Sequence, residues 1–190
     1  MPGFAAEASG GAKRRPVGLE LYSVRDELSR DLPKTLKTVA GFGYEVVEFY
    51  SPYFKWTPIY AKEVRAQMDD LGLRCYSTHN GFESFSSEEN LAHAIELNQI
   101  LGTHYIVLAS APETKGVDGW KKLGERLTKT VEELKPHGLG AGYHNHQAEW
   151  AKLENGQSIL EVLRVGRRLF VQDHEIHRQL LHPPVFVGAE

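Results

Sequence analysis

Four times along this chain an amphipathic stretch runs into a glycine and then into a short apolar run that ends on polar residues. The segments are VAGFG-YEVVEFY, MDDLG-LRCYSTH, NQILG-THYIVLAS and LKPHG-LGAGYHNH, and the marker glycines are Gly43, Gly72, Gly102 and Gly138. The steps of 29, 30 and 36 residues each fit one helix, one strand and two short loops. A helix that stops at glycine and feeds an apolar strand is the repeating unit of a parallel α/β sheet. An earlier run, VGLELY, supplies a first strand. The pattern predicts parallel strands over 17–22, 45–50, 73–78, 104–109 and 140–145, with helices between them. All of these strands then run the same way. Their last residues, Glu48, His79, Ser110, His144 and His146, reach the carboxyl edge, where α/β folds bind ligands.

A length of 190 residues fits one domain, and a hydrophobic fraction of 41% with 10% aromatics can fill its core. A formal charge of -3 gives no basic footprint for nucleic acid. No apolar run approaches the ~20 residues that span a bilayer. Cys75, the single cysteine, lies inside the apolar run LRCYS and reads as a small buried hydrophobe. Residues 1–16 read as a flexible leader. GFAAEA within them has the small-residue character of the end of an export signal. The location expected is therefore cytoplasmic as written, and periplasmic if such a signal precedes the chain. Residues 17–163 carry the repeat. In the remainder, 164–190, no glycine-punctuated strand is legible, so it reads as an atypical tail. The HEIH run in it lacks the HExxH spacing of a zinc helix.

Within the repeat, Asp31-Leu32-Pro33 reads as a helix start, with the aspartate as cap and proline in the first turn. KLENGQS reads as a hairpin-like turn. The loop SPYFKWTPIY carries Tyr53, Phe54, Trp56 and Tyr60, a density that suits either a cap over a pocket or a satellite cluster packed on the rim. Alternation along the fifth strand sends His144 and His146 to one face, and Tyr143 and Asn145 to the other. Two imidazoles followed by the carboxylate of Glu149 suit a divalent ion or proton transfer near neutral pH. Glu48, flanked by apolar strand residues, is a costly charge unless it is paired or liganded. Tyr22 and Arg25 reach the same rim.

The pieces GLELYSVRD at 18–26, GYEVVEFY at 43–50, LGLRCYSTH at 71–79, AIELNQILGTHYIVL at 94–108 and GYHNHQAEW at 142–150 resemble the sugar phosphate isomerase/epimerase family, the xylose isomerase-like TIM barrels. The resemblance implies an α/β fold, a xylose isomerase-like (β/α) barrel incomplete at about five to six βα units of eight, and hence a C-terminally truncated one. It implies a divalent metal at the carboxyl end, manganese first, with Mg2+, Co2+ or Zn2+ as alternatives. It also implies proton transfer next to a carbonyl of a small sugar or polyol: isomerisation, epimerisation or dehydration. On this sequence Glu149 and His144 are the matches for metal ligands. His146 and Glu48 are the matches for proton transfer, and Tyr22, His79, Asn145 and Trp56 for substrate contacts. A second reading is a non-catalytic sugar-binding or assembly module derived from that family. Because a five-stranded half-barrel leaves bare edges, a homo-oligomer covering them is expected, and weak manganese binding by the chain alone.

Overall fold

A computed structural model of the chain describes residues 16–163, and the backbone of 170–173 and 185–187. The leader and the HEIH run lie outside the described residues. The five predicted strands form: β1 Val17–Glu20, β2 Val46–Phe49, β3 Arg74–Asn80, β4 Tyr105–Leu108 and β5 Gly140–Asn145. The helices are α1 Arg25–Arg30, α2 Leu32–Gly41, α3 Pro58–Asp70, α4 Glu88–Leu101, α5 Gly116–Leu134 and α6 Ile159–Leu163. Asp31 caps α2 as expected, its side chain accepting from the Lys34 amide, and Thr57 and Ser87 cap α3 and α4 in the same way. KLENGQS closes through an antiparallel bridge between Lys152 and Ser158.

Two further strands correct the reading of the tail. β6 (Phe170–Asp173) pairs with β5, and β7 (Val185–Val187) pairs with β1. The described sheet has the order β6-β5-β4-β3-β2-β1-β7, with every pairing parallel. Neither added strand is announced by a marker glycine, so the period that reveals the first five strands is silent here. The edges of β1 and β5 are paired within the chain, and the described sheet ends at β6 and β7 instead.

All four marker glycines have positive φ, between +70° and +87°. Gly102 shows why. It ends α4 in the left-handed region at φ 75°, ψ 32°, and its amide closes the last turn on Asn98 and Gln99. The Arg65 guanidinium, held by the Leu101 carbonyl at 3.1 Å, lies where a side chain at 102 would start. Gly102→Ala should therefore cost about 1–2 kcal/mol, the left-handed penalty for an L-residue. Urea denaturation measures this, and an unchanged midpoint would contradict it.

Leu19, Val47, Phe49, Ile106, Leu108, Ala141 and Tyr143 alternate onto the outer face of the sheet and are buried beneath the helices. That layer holds two apolar clusters, one around β1–β3 with α1–α3, the other around β4 and β5 with α4–α6. The opposite face carries Glu20, Glu48, Ser77, His79 and His144.

Candidate metal centre

Glu20 closes β1 and Glu48 sits next to last on β2, and the two are register partners. A β-bulge between Val47 and Glu48 then shifts the pairing with β3. Val47 pairs with Cys75, but Glu48 pairs with Ser77, so Tyr76 is the extra residue. The bulge puts Ser77 and His79 on the same face as both carboxylates. The Ser77 hydroxyl donates to Glu48 Oε2. His79 stands between the acids, with Nε2 3.4 Å from Glu48 Oε1 and Nδ1 3.7 Å from Glu20 Oε1. One donor atom from each of Glu20, Glu48 and His79 lies within 4.8 Å of the others.

The group is dry. Glu48 is 0% exposed and His79 7%. Burial pushes the Glu20 carboxyl above its ordinary value of 4.5; the nearby imidazole of His79 opposes this and the charge of Glu48 adds to it. A raised folded pKa means that Glu20 favours the folded state when protonated. That contribution is complete below the ordinary glutamate range and is lost as pH rises through the higher folded value. In metal-free protein, Glu20→Gln should therefore be stabilising at neutral pH, with an advantage that shrinks towards pH 4. Thermal melts in a chelator across that range check this, and an advantage that grows on acidification would contradict it.

His144 on β5 extends the face. Its ring packs edge-on against His79 at 4.5 Å between centroids, and against His146 at 4.8 Å. The rings step outward, from buried His79 through half-buried His144 to exposed His146. The Glu149 amide donates to the His146 carbonyl at 3.4 Å. Tyr22, 45% exposed, meets Tyr50 edge-on at 5.5 Å, and the Arg25 guanidinium lies 4.5 Å from the centre of its ring. Each tyrosine is two residues beyond a carboxylate of the group, at the mouth.

Other expected site residues lie elsewhere. Glu149 is 6% exposed and has both oxygens engaged: Tyr143 Oη donates to Oε1 at 2.7 Å, and the His146 amide donates to Oε2 at 2.8 Å. It closes a capping box around the turn Gln147–Trp150, and neither it nor His144 belongs to the three-donor group. Asn145 alternates with Tyr143 onto the outer face and is 1% exposed. Trp56 packs edge-on against Phe49 at 5.0 Å and Tyr60 at 5.3 Å, on the outer core. The aromatic loop is thus a satellite cluster, its Tyr53 inside the core. Sequence reasoning missed Glu20, although LELY at 19–22 and VEFY at 47–50 place a carboxylate at the same point of two adjacent strands.

A family model described as a xylose isomerase-like TIM barrel matches residues 36–171. The chain belongs to this family. Among solved structures, the xylose isomerase-like barrel is similar to a sugar phosphate isomerase/epimerase from Parabacteroides distasonis, with a TM-score of 0.71 and 22% identity over 87% of this chain and 70% of that one. It is also similar to a D-psicose 3-epimerase determined in the presence of D-fructose (TM-score 0.60, 13% identity, 83% of this chain, 63% of that one). A third is a xylose isomerase-like TIM barrel protein from Mycobacterium smegmatis in complex with magnesium (TM-score 0.60, 13% identity, 85% of this chain, 64% of that one). At these identities the likeness is one of fold. No curated protein matches the chain. Among the described residues no helix is long and apolar enough to cross a membrane.

Proposed function

We propose that this xylose isomerase-like barrel is a metal-dependent sugar isomerase or epimerase that moves a proton next to the carbonyl of a small sugar or polyol. The observation that carries the reading is the buried Glu20–Glu48–His79 group at the carboxyl edge of the sheet. The donor set fits a divalent cation. Two carboxylates and one imidazole suit borderline and hard ions, and a second carboxylate beside the fully buried Glu48 adds like charge that a cation would offset. Manganese is the first choice, and magnesium is bound by one protein of the same fold. A bound divalent ion supplies Lewis-acid polarisation of a sugar carbonyl and so acidifies the adjacent C–H.

The chain's own residues do the rest. Ser77 orients Glu48 by donating to it. His144, beside His79 and half-buried, is placed to take the proton at a ring nitrogen. His146 is exposed beyond His144 and carries a ring N–H. It donates to a substrate oxygen at the mouth. Tyr22 and Tyr50 present ring edges and faces to the sugar's C–H surface.

Incubation with manganese and D-fructose or D-psicose in D2O tests this. Deuterium should enter the carbon next to the carbonyl, and His144→Asn should reduce the rate by about 100-fold or more, the usual size of a general-base effect. Sugar binding without exchange would favour the non-catalytic module instead.

A further inference from the structure

The outer face of the sheet is mostly apolar among the described residues, but both positions that flank His79 are polar. Thr78 and Asn80 alternate away from the metal group into the core, where both are 0% exposed. There they enter a closed ring of hydrogen bonds. Tyr53 Oη donates to Asn80 Oδ1 at 2.6 Å, and Asn80 Nδ2 donates to Thr78 Oγ1 at 3.0 Å. Thr78 Oγ1 donates to Asn98 Oδ1 at 2.8 Å, and Asn98 Nδ2 donates back to Tyr53 Oη at 2.8 Å. All four members are buried, Tyr53 at 1% exposure and Asn98 at 0%.

The two amide orientations are fixed by backbone carbonyls, which can only accept. Asn98 Nδ2 also donates to the Ala94 carbonyl at 2.8 Å, and Asn80 Nδ2 to the Thr78 carbonyl at 2.7 Å, which sets both amide orientations. Thr103 donates to Asn98 Oδ1 at 2.7 Å, and Ser84 to Asn80 Oδ1 at 3.1 Å. Each amide is therefore held from both ends, and the Thr78 hydroxyl has a second acceptor inside the ring in Tyr53 Oη at 3.1 Å.

We propose that this ring aims His79, and that Tyr53 and Asn98 are positioning residues for the metal centre. The inference rests on the reading of Glu20, Glu48 and His79 as that centre. The ring grips the strand on both sides of His79, so the peptide planes that carry its side chain cannot turn. It also ties β3 to the strand bearing Glu48, because Tyr53 lies five residues beyond Glu48 on the turn Ser51–Lys55 that continues β2. The 3.4 Å approach of His79 to Glu48 is thereby set from behind the sheet. Ile106, Leu108 and Ala141 fill the neighbouring outer positions with apolar side chains, so the polar ring is confined to the strand that carries His79 and to the elements packed on it.

The experiment compares the wild type with Tyr53→Phe, with Asn98→Leu, and with Met68→Ala, which truncates the same outer core outside the ring. Each is examined metal-free by 15N imidazole NMR, with the His79 signals assigned by their loss in His79→Gln, and by calorimetric titration with manganese. The wild type and Met68→Ala should give one set of His79 ring signals. Tyr53→Phe and Asn98→Leu should give several sets or broadened ones, and should bind manganese about 10–100-fold more weakly, as losses behind a metal ligand do. Met68→Ala should lower the melting temperature while leaving the affinity unchanged. Unaltered His79 signals in folded Tyr53→Phe would overturn the proposal, whatever happens to stability. A wild type that binds no manganese would overturn the metal reading, while the imidazole signals would still decide whether the ring orders His79.

Discussion

Replacing Glu48 with glutamine should lower manganese affinity by about 100-fold or more, since even residues behind a metal ligand contribute 10–100-fold. That loss corresponds to about 2.7 kcal/mol. The same change should raise the melting temperature of the metal-free protein. Glutamine keeps the size of the side chain and an oxygen for the Ser77 hydroxyl, but removes the buried member of two neighbouring like charges. A glutamate kept only for packing could not produce this crossing, with metal-free stability up and metal-induced stability gone. Calorimetry of both proteins with a chelator and with excess manganese measures the two effects together. A fall in stability in both conditions would contradict the account.

The second large effect belongs to Glu149. Removing its carboxylate in Glu149→Ala leaves the Tyr143 hydroxyl buried without its acceptor and the His146 amide without its cap. Orphaning a buried partner costs about 1–3 kcal/mol, and loss of a capping interaction about 1 kcal/mol more. Tyr143 makes the first cost hard to avoid. Its ring is fully buried, and burial together with the bond to Glu149 pushes its hydroxyl far above the usual tyrosine range, so it remains a donor in need of an acceptor. Denaturant titration should show this loss in metal-free protein, with manganese affinity changed little beside the effect at Glu48. A variant that keeps its stability but loses the metal would restore Glu149 as a ligand.

The fold was legible because its signal is periodic and local. A helix that must reverse into a strand needs a left-handed residue at the turn, and glycine at 43, 72, 102 and 138 announces each one. β6 and β7 lack such a marker and are held by pairing with β5 and β1, a tertiary cause that leaves little local trace. The site was legible in direction but only partly in membership. Strand polarity brought Glu48, His79 and His144 to one edge, and alternation put Asn145 and Tyr143 on the other face. Glu149 follows the strand, where alternation no longer determines direction, and capping decides its place instead. The bulge at Glu48 was invisible, because a one-residue shift in register depends on two strands at once. Trp56 illustrates the same limit: an aromatic-rich loop has no period, and only the packing against Phe49 shows which way it turns.

The proposed cation site is built by the first three strands. Crystals of the protein grown or soaked with manganese, with data collected at the manganese absorption edge, test it most directly. The expected result is an anomalous peak bonded by Glu20, Glu48 and His79, absent in Glu48→Gln. A peak held by Glu149 or His144 and independent of Glu48 would contradict it.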